Sequence, residues 1–254
     1  MMEPSLGGSQ TADRAIEVLR QIVLSDTAVL LEVLADRIGI NRSVAYRLVR
    51  SLEHAGFVSR DPRQGGYTVG PAFLSISVLT ASRNNIGRAV RPAMEEIVAA
   101  YGETVSFHVR SGSQRICVDV VEGTHDIRRV IKVGQTLPVY AGETGRVLLS
   151  GLPEEEIENY LEIAAASGQD PTAMRADILR IQQEGHIIGL GLRTRGVGTI
   201  SLPVYGTHEL LGALTISGPD NRWSQEAMEE ALAPIRELLA PTLGLLSSRN
   251  GTTE

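Results

Sequence analysis

A chain of 254 residues with 43% hydrophobic and 21% charged content can bury a sizeable core, in one large domain or two smaller ones. Its formal net charge of -6 argues against general polyanion binding, and its single cysteine, Cys117, excludes an internal disulfide framework. No run reaches the roughly 18 uncharged apolar residues needed to span a bilayer, and MMEPSLGGSQ has neither the basic start nor the apolar core of a signal peptide, so a cytoplasmic protein with no membrane partner is expected.

Residues 1–10, small, polar and glycine-bearing, are expected to form a disordered tail. Thr11 is the expected N-cap of a first helix whose Ala12, Ala15, Ile16, Leu19, Ile22 and Val23 recur on one face. A second helix carries Leu31, Leu34, Ala35 and Ile38 and is ended by Gly39. In the third, Ala45, Leu48, Val49 and Leu52 make an apolar stripe, while Ser43, Tyr46, Arg47 and Arg50 take the opposite face. Asn41 stands where it can cap this helix, and Gly56 where it can stop it. Residues 57–60 and 67–69 then read as two short strands around the turn-forming DPRQGG, so residues 11–71 are predicted to be a winged helix-turn-helix.

Residues 72–85 are expected to be a linker helix with Ala72, Phe73, Ile76 and Leu79 as its apolar positions, ending near Asn84 and Asn85. An amphipathic helix with Ile86, Ala89, Val90, Ala93, Met94 and Ile97 begins there. From Glu103 the period changes. TVSFHVR, QRICVDVVEG and IRRVIKVG read as strands, and LPVYAGETGRVLLSGL leads into a helix. Two further helices follow in EEEIENYLEIAAA and TAMRADILRIQQEG. HIIGLGL, VGTISLPVY and ELLGALTISG return to strand before a long closing helix. The alternation predicts an α/β domain of the α+β kind over 86–249, built on a mainly antiparallel sheet.

The chain's acidity is uneven. Between Asn41 and Arg63, five arginines (Arg42, Arg47, Arg50, Arg60 and Arg63) face Glu53 and Asp61, a local net charge of +3. A basic face on an isolated amphipathic helix is ordinary solvated surface. Here it belongs to the third helix of a three-helix unit and is followed by a hairpin with Arg60 and Arg63 near its tip, the arrangement in which a recognition helix enters a major groove and a wing lies along the backbone. Arg42 and Arg47 can bond guanine or phosphate bidentately, and Asn41, Ser43 and Tyr46 can reach base edges or phosphate oxygens. One such helix covers few base pairs, so a homodimer on a double-stranded DNA operator is expected, with pairing of dimers into tetramers left open.

QTADRAIEVLRQI, LEVLADRIGINRSVAYRLVRSLEHAGFVSRD and GGYTVGPAFL resemble the N-terminal domain of the IclR family of bacterial transcriptional regulators. In order and spacing, RPAMEEIVAAYGETVSFHVRSG, ICVDVVEG, KVGQTLPVYAGETGRVLLSGLPEEEI, QQEGH, SLPV and LTISGP resemble that family's effector domain. The resemblance implies a winged-helix head, a linker helix used in dimerisation and a GAF-like domain binding a small metabolite effector. It also implies a pocket lined by Leu137, Tyr140, Glu143, Thr144, Gly189, Thr199, Thr215 and Ser217. Three positions depart from the family's habit: Gly189 stands where an acidic residue is usual, Thr199 where cysteine is frequent, and Glu143 where a small residue is usual. Glu143 is either a first-turn carboxylate favoured by its helix dipole or a ligand contact. If it faces the ligand, an acidic effector requires compensation from Arg146 or Arg193, and amine- or hydroxyl-bearing compounds are favoured.

The main reading is therefore an effector-modulated transcriptional regulator of the repressor kind. Its alternative is a constitutive winged-helix DNA-binding or assembly factor with a degenerate pocket, suggested by IIGLGLR. An enzyme is not expected: there is no GxSxG elbow, and Cys117 sits mid-strand as packing. No cofactor or metal is expected either. GLGLRT lacks the third glycine of a dinucleotide fingerprint and leads into a strand, and His54, His108, His125, His186 and His208 have no metal-ligand spacing.

Overall fold

The computed structural model describes residues 8–62, 65–83, 86–207 and 209–249. They divide into two compact units at the Asn84–Asn85 junction. Residues 1–7 of the expected tail, Arg63, Asn84, Asn85 and His208 lie outside the described residues.

The first unit runs α1 (Gln10–Val23), α2 (Leu31–Ile38), α3 (Arg42–His54), β1 (Val58–Arg60), β2 (Tyr67–Val69) and α4 (Pro71–Arg83). α1 starts before Thr11, with Ser9 at the N-cap position and Gln10 already helical. Its buried face is also rotated from the expected one. Val18 is fully buried, whereas Ile16 is 64% exposed and Val23 lies at the surface. Both faces satisfy helical spacing; the choice is made by α2 and α3, against which Val18 and Ile22 pack with Leu34, Leu48 and Val49. Gly39 (φ 70°) ends α2 in the left-handed conformation, as expected. Asn41 occupies the N-cap position of α3, but its side chain makes no capping hydrogen bond. β1 and β2 pair antiparallel, and Val29 adds a one-residue bridge to Tyr67 through reciprocal bonds of 2.9 and 2.8 Å. This third wing contact was not anticipated, since one residue carries no periodicity.

The second unit runs α5 (Ile86–Tyr101), β3 (Thr104–Ser111), β4 (Gln114–Val121), β5 (Thr136–Pro138), α6 (Gly142–Ser150), α7 (Glu154–Ala166), α8 (Pro171–Glu184), β6 (Ile187–Leu190), β7 (Val197–Tyr205), β8 (Leu210–Pro219) and α9 (Gln225–Arg249). Six strands form one sheet in the order β5-β4-β3-β8-β7-β6, every neighbouring pair antiparallel. The expected strand IRRVIKVG is not formed. Residues 127–134 cross as an irregular strap whose backbone groups bond outside any ladder. Thr104 Oγ1 donates to Arg129 O (2.6 Å), Arg222 Nη2 donates to Ile127 O (2.7 Å), and Gly134 N donates to Cys117 O (2.7 Å). Of its apolar residues, Ile127, Val130 and Val133 are left outside, with Ile127 76% exposed.

The sheet has two chemically distinct faces because its central strands alternate apolar with small polar side chains, and successive side chains point to opposite sides. Val105 and Phe107 on β3, Ile200, Leu202 and Val204 on β7, and Leu214 and Ile216 on β8 pack against α5 and α9. A fully buried side chain of this kind stabilises the fold by about 1.5–3 kcal/mol. On the reverse face lie Ser106, His108, Thr199, Ser201, Thr215 and Ser217, all buried, on the side to which α6 packs.

Four of these groups, Ser106, His108, Ser201 and Thr215, are joined by hydrogen bonds. The Arg115 guanidinium on β4 can only donate, so at 3.4 Å it requires an acceptor at His108 Nδ1. The proton of neutral His108 is then on Nε2, which donates to Ser106 Oγ (3.0 Å), and Ser106 donates onward to Thr215 O (3.4 Å). Burial, then the nearby Arg115 and Arg193 charges, push the His108 pKa down to about 3. Unfolded, this imidazole takes up a proton near pH 6.5, so the stability it contributes is complete above that pH and is lost as the pH falls toward about 3. Between pH 7.5 and 5.0 the wild-type protein should lose about 2 kcal/mol more stability than His108→Gln in urea unfolding.

Candidate functional site

The outer face of α3 is open. Ser43, Tyr46, Arg47 and Arg50 are exposed, Tyr46 by 49%, while Ala45, Leu48 and Val49 are buried beneath them. Arg42, Ser43 and Tyr46 share a hollow with Arg60 on the wing, bounded by Glu32 and Tyr67. Asn41 is exposed beside it. Arg42 Nη2 lies 2.6 Å from Glu32 Oε1 and Arg50 Nη1 3.2 Å from Glu53 Oε2, both exposed pairs of small net value that a phosphate can replace. Arg47 forms no ion pair among the described residues. The Glu32 partner of Arg42 escaped the sequence reading because the two lie on different helices.

The second unit holds a small pocket of about 40 Å³ that opens partly to solvent. Its floor is the polar sheet face, with Ser106, His108, Arg115, Thr199, Thr215 and Ser217; α6 adds Glu143 and Thr144. The strap brings Arg129, Ile131 and Gln135, β5 brings Leu137, and the segment after β6 brings Leu192, Arg193 and Thr194. α6 packs tightly on the β5–α6 connection because residue 145 is glycine: a Cβ there would collide with the Val139 carbonyl.

Six of the eight residues expected at a pocket line this cavity: Leu137, Glu143, Thr144, Thr199, Thr215 and Ser217. Tyr140 does not. Its ring packs against the α6–α7–α8 cluster, and its hydroxyl pairs with Ser167 Oγ at 3.0 Å. Gly189 does not line it either, because Glu143 covers it: a Cβ on Gly189 would lie 2.4 Å from Glu143 Oε1. Of the expected compensating cations, Arg146 pairs with Asp177 on α8 (2.9 Å), whereas Arg193 is in the cavity. Arg115 and Arg129 join it there and were missed. Arg115 stands in a run that reads as ordinary strand alternation, and Arg129 in one that reads as a strand outright.

Three guanidiniums therefore share the lining with one carboxylate. Arg115 is 4% exposed and its Nε has no hydrogen-bond partner. Burial, followed by the Arg193 charge, pulls its pKa down to about 10, so it remains cationic at neutral pH. Burial lowers the Arg193 pKa and raises that of Glu143, the latter opposed by its own backbone N–H and by Arg146, Arg193 and Arg115. Thr144 and Thr215 hydroxyls pair at 3.0 Å, and Thr215 with Ser201 at 2.9 Å. Such a lining can bind an anion through the arginines and hydrogen-bond a neutral group through the hydroxyls. Nucleophilic catalysis is not served: Cys117 is buried, its thiol is pushed up to about 11, and it does not line the cavity.

Residues 11–62 match the family model described as the IclR helix-turn-helix domain, and residues 78–240 the one described as the bacterial transcriptional regulator IclR C-terminal domain. The chain is 31% identical over 226 residues to the HTH-type transcriptional regulator KipR of Bacillus subtilis, covering 86% of this chain and 90% of that one. It is 29% identical over 242 residues to the acetate operon repressor of Salmonella typhimurium, with 91% and 88% covered. Among solved structures, an IclR homolog from Microbacterium hydrocarbonoxydans complexed with 4-hydroxybenzoate superposes with a TM-score of 0.75 at 18% identity, covering 94% of this chain and 98% of that one. With a helix-turn-helix head that presents a basic helix and an effector-binding C-terminal domain, the chain belongs to the IclR family of DNA-binding transcriptional regulators and is not an enzyme.

Proposed function

We propose that α3 reads an operator through Asn41, Arg42, Ser43, Tyr46, Arg47 and Arg50, with Arg60 and Arg63 of the wing on the backbone. The observation that carries this is the separation of faces on α3: its apolar stripe is used up in the core, and its arginines are left outside with only exposed ion pairs to exchange. Residues 41–63 carry a surplus of positive charge in an acidic chain, so this surface attracts phosphate despite the net charge of the whole. A homodimer presenting two such helices to two half-sites follows from the short reach of each. No helix among the described residues is long and apolar enough to cross a membrane, which fits the cytoplasmic location that access to DNA requires.

The cavity of the second unit is the effector site in this reading, contacted through Arg115, Arg129, Arg193, Glu143, Thr144, Leu137, Thr199, Thr215 and Ser217. Three arginines around one carboxylate favour a small acid. The homolog that holds 4-hydroxybenzoate, itself a small acid, supports that assignment. A degenerate pocket is disfavoured: the acidic group absent at Gly189 is supplied from Glu143, and the space remains lined with charged and hydroxyl groups. Regulation then requires only that the ligand bind one arrangement of the DNA-binding heads better than the other.

Arg47→Ala should weaken operator binding by about tenfold or more in a mobility-shift titration and reduce the salt slope by about one, with dimer assembly unaltered in size-exclusion chromatography. In a thermal-shift screen of small carboxylic acids, at least one should raise the melting temperature of the wild-type protein, and Arg193→Gln should shrink that rise.

A further inference from the structure

Glu143 is the one acid among the described residues that line the cavity, and it is 5% exposed. Among the described residues neither it nor Arg115, Arg129 or Arg193 forms an ion pair, although all four groups face the same space. Glu143 and Arg115 are buried while Arg129 is half-buried and Arg193 exposed, and a buried charge left without a partner costs several kcal/mol of desolvation. Here they are held apart. Arg115 is fixed on β4 by its bond to His108. Glu143 is fixed at the start of α6 and laid over Gly189, where any side chain would evict it: the Cβ position at residue 189 is 2.4 Å from Oε1, 2.8 Å from Cγ and 3.0 Å from Cδ of Glu143. The bare backbone at Gly189 on β6 is thus the seat of this carboxylate. The unpartnered Arg115 Nε marks the cationic side as a place where a hydrogen-bond acceptor is missing.

Resting on the effector-site reading above, we propose that the ligand is a small acidic amino acid, with its two carboxylates on the Arg115, Arg129 and Arg193 side and its ammonium on Glu143. Each ligand charge then meets its opposite. The net positive lining accepts a net negative ligand, and the buried Glu143 carboxylate gains the direct cationic contact that none of the three arginines makes. A dicarboxylate without an amine leaves Glu143 unpaired beside it, and a hydroxyl in place of the amine satisfies its hydrogen bonding but not its charge. Gly189 and Glu143 together are the specificity-determining pair.

The test is calorimetric titration of the full-length protein at pH 7.5 with aspartate and glutamate, their amine-free counterparts succinate and glutarate, and malate, in which hydroxyl replaces ammonium. Wild-type protein should prefer aspartate or glutamate over its amine-free counterpart by about 30-fold or more. Glu143→Gln should abolish that preference, with the amine-free acids binding more tightly than to wild type because the like charge beside them is gone. Gly189→Ala, which displaces Glu143 without altering its charge, should abolish it too, and retained thermal melting shows that both variants fold. Should succinate, glutarate or malate match the amino acids on wild-type protein and lose binding in Arg193→Gln, the ammonium assignment is overturned while the cavity stands as the effector site. If no acid binds, or binding survives Arg193→Gln, both the assignment and the effector-site reading fall.

Discussion

Three strands at the centre of the second unit must satisfy two solvents at once. β3, β7 and β8 place Val105, Phe107, Ile200, Leu202, Leu214 and Ile216 on one side and Ser106, His108, Thr199, Ser201, Thr215 and Ser217 on the other, and both sides are buried. The apolar side needs only helices to cover it, which α5 and α9 provide. The polar side is tolerable because Ser106, His108, Ser201 and Thr215 are joined by hydrogen bonds, from Arg115 through His108 and Ser106 to the Thr215 backbone, and from Thr144 through Thr215 to Ser201. Core and cavity are therefore made by the same residues in alternation, and the cavity floor inherits the rigidity of the sheet.

The strands themselves were legible in TVSFHVR, VGTISLPVY and ELLGALTISG, as was the stripe of α3, although the division of the sheet into an apolar and a polar face was not drawn from them. The face of α1 was not legible, since Ile16 and Val18 both fit a helical stripe and only the neighbouring helices decide which turns inward. The strap defeated the reading for a different reason. IRRVIKVG has strand composition, yet its Arg129 and Ile127 carbonyls accept from the Thr104 and Arg222 side chains, and its Gly134 amide meets β4 at Cys117 without forming a ladder. Arg129 enters the cavity only because that strap replaces a strand. Six of the expected lining residues followed from family resemblance, and the loss of Tyr140 and Gly189 follows from what covers each: the α7–α8 cluster in one case, the Glu143 side chain in the other.

The two units concentrate the same residue type for opposite purposes. On α3 the arginines are exposed and keep their hydration until phosphate replaces it, which suits a reversible, salt-sensitive contact. In the cavity Arg115 has already lost its water and is held by β4, so reorganisation on binding is small. A guanidinium on a solvent-facing helix governs how readily a site is found; one built into a sheet governs what is accepted there.

The close approach of Glu143 to Gly189 also constrains how such a pocket can change over generations. Adding any side chain at 189 while Glu143 is present crowds the carboxylate out, and removing Glu143 first leaves the cavity without an acid. The two sites cannot be traded independently, so a lineage moving an acidic group from one wall to the other must pass through an intermediate that is either overcrowded or acid-free. Ligand preference is for that reason expected to shift between relatives in steps, with residues 143 and 189 changing together.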